Sequence, residues 1–261
     1  MAKIYAVTNQ KGGVGKTTST VNLAASLVEC GQTVLLIDLD PQGNATTGCG
    51  IDKMALDKGS YDVIMGKAAA INVIKRSEGV HFDVIPTNAD LTAAEVELLE
   101  VSLREHRLRV GLESIRENYD IILIDCPPSL SMLTVNGLVA AQGVIIPLQC
   151  EYYALEGLSS LLKTIERVKQ RANRSLEITG ILRTMVDARN NLANQVSAQL
   201  MEHFESKVFH SVIPRNVRLA EAPSHGLPVL QYDRSSRGSI AYMALANEFI
   251  RREKNNQQGN K

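Results

Sequence analysis

The sequence predicts a doubly wound α/β domain: a mostly parallel sheet of about seven or eight strands with helices on both faces. Three observations carry this expectation. Short apolar runs rich in β-branched residues recur along the chain, and runs apolar on both faces suit strands buried between helix layers. Segments with helical spacing lie between them, without a linker, from end to end. The chemically suggestive residues fall where strands end and helices begin, the edge at which such sheets bind ligands.

In order, the first strand is expected in KIYAVT (3–8), followed by the glycine-rich TNQKGGVGKTTST (8–20) and a helix over 16–30. TVLLID (33–38) makes a second strand and leads into DLDPQGN (38–44); FDVIP (82–86) makes a third, before one long helix over about 91–117. DIILID (120–125) runs into DCPPS (125–129) and a helix over 130–141. GVIIPL (143–148), ITGILRTM (178–185) and VFHSVIP (208–214) complete the strands, with helices over 154–172, 190–205 and 236–253. Residues 1–252 read as one domain, and the polar EKNNQQGNK (253–261) is expected to be disordered.

Twenty-eight Lys and Arg balance twenty-eight Asp and Glu. No global field therefore draws the chain to nucleic acid or an anionic membrane, and such binding must come from a local patch. The four cysteines, Cys30, Cys49, Cys126 and Cys150, lack C-x-x-C spacing, which argues against a zinc site and a disulfide framework and for a reducing cytoplasm. The start, MAKIYAVTN, reads as a strand and not a signal peptide, and no apolar stretch approaches the roughly 18 residues of a membrane span.

The loop after the first strand fits the phosphate-binding pattern G-x-x-x-x-G-K-[ST] at Gly15, Lys16 and Thr17, with Gln10 where the pattern wants glycine. Such a loop aims backbone N–H groups and the positive end of a helix at one small volume. Gly12, Gly13 and Gly15 let the backbone approach phosphate, Lys16 is expected to reach the β- and γ-phosphates, and the Thr17 hydroxyl to ligate Mg²⁺. Asp125 ends an apolar strand, where a nucleotidase of this kind places the acid that holds the metal's water shell. Asp38 and Asp40 stand two apart, so their side chains point the same way for as long as the strand continues; past it, at Pro41, Asp40 is free to swing toward the γ-phosphate and orient water. A second lysine, Lys11, has no role in holding one nucleotide.

KGGVGKTT with lysine at its start, followed by DLDPQGN, DCPPSL, QCEYYALEGL and VIPRNVRLAEAPSHG, resembles the deviant Walker A ATPases, and more narrowly the ParA/Soj-type chromosome-partition ATPases. The resemblance runs from about residue 1 to 250, with no departure at the catalytic positions. It implies a homodimer in which two ATP-bound subunits face each other and Lys11 crosses to the partner's nucleotide. A cation supplied in trans stabilises charge on the transferring phosphoryl group much as an arginine finger does, an effect of about 10³–10⁵ in rate in other nucleotidases. The same resemblance gives the nucleotide contact to Lys11, Gly12, Gly13, Val14, Gly15, Lys16, Thr17 and Thr18, Mg²⁺ to Thr17 and Asp125 (through water), water activation to Asp40, and the neighbourhood of the adenine to Pro214 and Asn216. Gly12 is expected to be small because two subunits close there.

With the first strand starting at about residue 3, there is no room for the helix-turn-helix domain of larger relatives, so double-stranded DNA is expected to be bound non-specifically through phosphates. The resemblance points to Arg189 and Arg218 as contacts, and to a ParB-like centromere-binding protein as the partner that stimulates hydrolysis on the nucleoid. Lys163, Arg167, Arg171 and Arg174 recur at helical spacing and make either one basic stripe or an ordinary solvated face.

Three other readings stay open. A MinD-type membrane-surface ATPase needs a C-terminal amphipathic anchor; here Tyr242, Leu245, Phe249 and Ile250 share a face that looks core-packed, so no stable membrane association is expected. An iron–sulfur reductase with the same loop needs paired interface cysteines, for which Cys126 is the candidate. An ATP-driven metabolic ligase or kinase needs a second-substrate site, and none is legible.

Overall fold

The computed structural model describes residues 1–259. Its seven strands, β1 (Lys3–Val7), β2 (Val34–Asp38), β3 (Asp83–Ile85), β4 (Ile121–Asp125), β5 (Gly143–Gln149), β6 (Glu177–Val186) and β7 (Val208–Pro214), form one sheet in the order β3-β2-β4-β1-β5-β6-β7. Every neighbouring pair is parallel. All seven expected strands form.

The helices are α1 (Lys16–Glu29), α2 (Asn44–Gly48), α3 (Ser60–Met65), α4 (Leu91–Glu97), α5 (Arg107–Leu112), α6 (Met132–Ala140), α7 (Ala154–Arg171), α8 (Asn191–Phe204), α9 (Val217–Glu221), α10 (Val229–Tyr232) and α11 (Arg237–Gly259). Alternate residues of each central strand feed different layers. Ile4, Ala6, Ile122 and Ile124 pack with apolar residues of α6, α7 and α8. Tyr5, Val7, Ile121 and Leu123 pack with those of α1 and α11. The double alternation is why these strands read as unbroken apolar runs.

Register positions the site. Val7 and Asp38 both lie level with Asp125, so the loops after β1, β2 and β4 leave the sheet side by side. β1 sits between β4 and β5, where chain progression reverses direction, and that point of an open sheet is a ligand crevice.

The single helix expected over 91–117 is instead broken into α4, α5 and 3₁₀ turns at Leu98–Glu100, Arg104–His106 and Glu113–Asn118. Val101 is extended and Leu103 takes a left-handed φ of 53°. The freed backbone is captured by α6: the Asn136 amide donates to Arg104 O (2.8 Å), and Asn136 Oδ1 accepts Leu108 N–H (3.1 Å). A tertiary clamp here overrides local propensity. At the other end α11 continues to Gly259 through the segment expected to be disordered from 253, and Glu253 pairs with Lys3; residues 260–261 of that segment lie outside the described residues. Tyr242, Leu245 and Phe249 of α11 are buried in the core. No helix among the described residues is long and apolar enough to cross a membrane.

Candidate active site

The loop after β1 is held from both sides. Thr8 N–H donates to Ile145 O (3.1 Å), the Asn9 amide donates to Pro147 O (2.7 Å), and Asn9 Oδ1 accepts Lys11 N–H (3.0 Å). The Thr184 hydroxyl of β6 donates to Val14 O (2.8 Å). Gly13 and Gly15 adopt φ of 73° and 84°, a left-handed conformation that costs other residues about 1–2 kcal/mol. Gly15 caps α1 without a side-chain acceptor, and the first turn holds no acid. The opening N–H groups of α1 are thus left for an anion.

Lys16 is only 7% exposed, and its Nζ donates to Lys11 O at 3.1 Å. Burial lowers its pKa, opposed by the carboxylates of Asp125 and Asp40. Asp125 is fully buried and accepts from the hydroxyls of Thr17 (2.7 Å) and Thr20 (3.0 Å). Burial above all, then the neighbouring Asp38, holds the Asp125 carboxyl well above the usual carboxylate range. Buried, like-charged acids beside one ammonium suit a site completed by a divalent cation, and the oxygen donors of Thr17, Asp125 and Asp40 are of the hard kind that Mg²⁺ takes.

β2 ends at Asp38, so the two aspartates do not share a strand face as they would had the strand run on. Asp38 Oδ2 accepts Thr46 N–H (2.8 Å) and the Thr46 hydroxyl (2.7 Å), and its Oδ1 accepts Asp40 N–H (3.2 Å). It ties α2 to the strand end, a structural role that sequence pattern did not reveal. Asp40 instead borders a cavity and accepts Gln42 N–H at 3.0 Å.

That cavity, of about 500 Å³, unites the two ends of the sequence-derived site. Gly12, Gly13, Gly15, Lys16, Thr17, Thr18 and Asp40 line one end, and Pro214 and Asn216 the other. Asn216 Oδ1 is buried without a hydrogen-bond partner, an acceptor free for a ligand's donor. Met185 and Tyr242 also line it and were missed: the cues are a non-glycine φ of 50° at Met185 and a Tyr242 hydroxyl 3.1 Å from that of Ser19, neither visible without coordinates. A larger cavity of about 770 Å³ opens at the opposite, amino edge of the sheet among Lys3, Gln142, Glu177 and Arg252. It is remote from the loop, and Lys3 and Arg252 there are already paired with Glu253 and Glu248.

Other expected residues lie outside the nucleotide-sized cavity. Val14 is buried beneath the loop. Lys11 is exposed and its Nζ pairs with Glu151. Arg189, its side chain 90% exposed, forms two bonds to Asp187 (2.9 and 2.8 Å), whose carboxyl it holds well below the usual range. Arg218 pairs with Glu221 (2.7 Å) and Asp233 (3.2 Å). Cys126 is fully buried, and all four cysteines are free.

A family model for an AAA domain matches residues 2–178. The sporulation initiation inhibitor protein Soj of Bacillus subtilis is 53% identical over 95% of this chain and 98% of its own. The chain belongs to the ParA/Soj family of chromosome-partition ATPases. Chromosome partitioning protein ParA of Caulobacter vibrioides is 52% identical over 98% of this chain and 96% of its own. Among solved structures, cobyrinic acid a,c-diamide synthase from Mycobacterium smegmatis with bound ATP analogue and magnesium superposes with a TM-score of 0.85, at 37% identity, over 97% of this chain and 96% of that one. This ParA/Soj-family chain thus shares the α/β fold of a nucleotide-bound neighbour, and its glycine-rich loop carries two lysines, Lys11 and Lys16.

Proposed function

We propose that this ParA/Soj-family protein is a Mg²⁺-dependent ATPase that pairs two copies on ATP, binds DNA non-specifically as the pair, and partitions chromosomal or plasmid DNA in the cytoplasm, on the nucleoid. A ParB-like centromere-binding protein speeds its otherwise slow hydrolysis. The observation that carries this reading is the contrast between the two lysines: Lys16 is buried at the cavity, whereas Lys11 is exposed outside it. A lysine outside its own site is available to a second copy's, which supports the two-copy reading.

Lys16 and the amides opening α1 hold the phosphates, and Thr17 with Asp125 hold the metal, Asp125 through water. Mg²⁺ when bound neutralises charge on the phosphate oxygens. Asp40 orients the attacking water, and Asn216 with Pro214 borders the adenine. Gly12 supports the two-copy reading. A Cβ there meets nothing within 4 Å and its φ is not positive, so nothing within one copy requires glycine. Arg189 and Arg218 contact DNA phosphates after their ion pairs open. The burial of Tyr242, Leu245 and Phe249 favours DNA over a membrane surface, because α11 keeps these apolar residues in the core.

The test is binding to random-sequence duplex DNA with no nucleotide, ADP, ATP or a non-hydrolysable ATP analogue, at two salt concentrations. Binding confined to ATP and the analogue, and weakened by salt, is expected. Absence of binding in every state overturns the DNA half of the proposal and leaves the nucleotidase.

A further inference from the structure

Helix α7 buries Leu158, Leu161, Ile165 and Val168 against the sheet, which turns its other side to solvent. Lys163, Arg167 and Arg171 stand on that side at i, i+4 and i+8, Arg174 follows just past the helix end, and all four are exposed. Two acids share the face: Glu166, which accepts from the Gln170 amide at 2.7 Å, and Glu156 in the first turn of α7; Glu177, beyond the helix, pairs with Lys169. Among the described residues the four cations make no ion pair. Arg189 and Arg218, by contrast, each give up an ion pair before reaching a phosphate.

We propose that the solvent face of α7 binds the phosphate backbone of duplex DNA. The inference rests on the DNA-binding reading above and adds a surface to it. On a chain with no net charge, attraction must come from such a local stripe. Lys163 to Arg171 spans about 12 Å of helix, and over that length one strand of a duplex carries three or four phosphates, one per roughly 3.4 Å of axis. Ser160 shares the exposed face and is one of the polar types that accompany Lys and Arg on phosphates. Within α7 no bulky apolar residue is exposed; the exposed Tyr152 and Tyr153 precede the helix, about 15 Å along its axis from Lys163, whereas a membrane-surface helix requires an apolar face along its length. Arg171 and Arg174 also offset the negative helix C-terminus, but Lys163 and Arg167 lie too far inside the helix for that.

The experiment compares wild type, Lys163→Glu/Arg167→Glu and the milder Lys163→Gln/Arg167→Gln for binding to random-sequence duplex DNA with the ATP analogue, across a salt series. Thermal unfolding and DNA-free ATP turnover serve as controls and are expected to match wild type. The Glu variant is expected to bind at least tenfold more weakly, with the log affinity against log salt slope shallower by about 2 per engaged copy, and the Gln variant to fall between. Wild-type affinity and slope in both variants overturn the α7 surface while leaving the DNA reading intact. A wild type that binds no duplex in any nucleotide state overturns both. Pelleting with anionic phospholipid vesicles that depends on the stripe, with DNA affinity unchanged, overturns it in favour of a membrane.

Discussion

In the isolated chain Lys11 is paired with Glu151, a residue 140 positions away on the turn between β5 and α7. Both side chains are 45% exposed, so the pair is worth at most about 1 kcal/mol, and a partner's nucleotide competes easily for the lysine. Lys11→Ala is therefore expected to shift unfolding by no more than about 3 °C and to bind nucleotide within a few-fold of wild type. Its ATP turnover is expected to fall at least about 10²-fold and to lose its rise with protein concentration. Equilibrium nucleotide binding alongside steady-state rates decides this, and near-normal turnover removes Lys11 from the chemistry.

Asp40→Ala removes the acceptor for Gln42 N–H, a loss of about 1 kcal/mol, so the variant should fold. Hydrolysis is expected to drop by about 10²-fold or more, leaving ATP-bound dimers that accumulate on DNA. Turnover and sedimentation with labelled duplex measure the two effects. Wild-type turnover would mean that another group orients the water.

Gly12 and Gly15 are expected to separate assembly from folding. Gly15→Ala forces a side chain onto a φ of 84° and should cost about 1–2 kcal/mol. Gly12→Ala meets open space in one copy, so its melting temperature should equal that of wild type while ATP-dependent dimerisation fails. Size-exclusion with ATP analogue checks this; a Gly12→Ala chain that still pairs sinks the idea that two loops close there.

Asp125 gives a pH signature. A carboxyl held above its unfolded value binds more protons folded than unfolded, so its stabilising contribution is greatest at acid pH and is lost as pH rises above about 4 through the folded value. Without nucleotide and with chelator, the melting temperature should fall between pH 5 and 8, with Asp38, raised in the same direction by burial, adding to the trend. Asp125→Asn keeps an acceptor for the Thr17 or Thr20 hydroxyl and should be more stable than wild type at pH 8 by roughly 3 °C, the worth of about one pKa unit. It should also lose the extra stabilisation that Mg²⁺ adds to ATP. Scanning calorimetry across pH reads both, and a variant less stable than wild type at pH 8 contradicts the assignment.

The sequence by itself determined the seven strands, the parallel sheet and the loop from Lys11 to Thr18, because strands buried on both faces must be apolar throughout and a phosphate loop needs glycine at fixed spacings. It also brought forward Asp125, the last residue of β4, and Asp40, two residues past the end of β2. Only the tertiary structure decided what those residues meet. Asp38, identical in type to Asp40 and two positions away, became a buried anchor for Thr46 because β2 stops there. The helix expected over 91–117 broke because Asn136, from α6, captured backbone groups at 104 and 108. Tyr242 joined the cavity from α11, and Lys11 found Glu151. Each outcome depends on contacts between segments far apart in the chain, and local periodicity reports only which face of an element is buried, not which neighbour buries it.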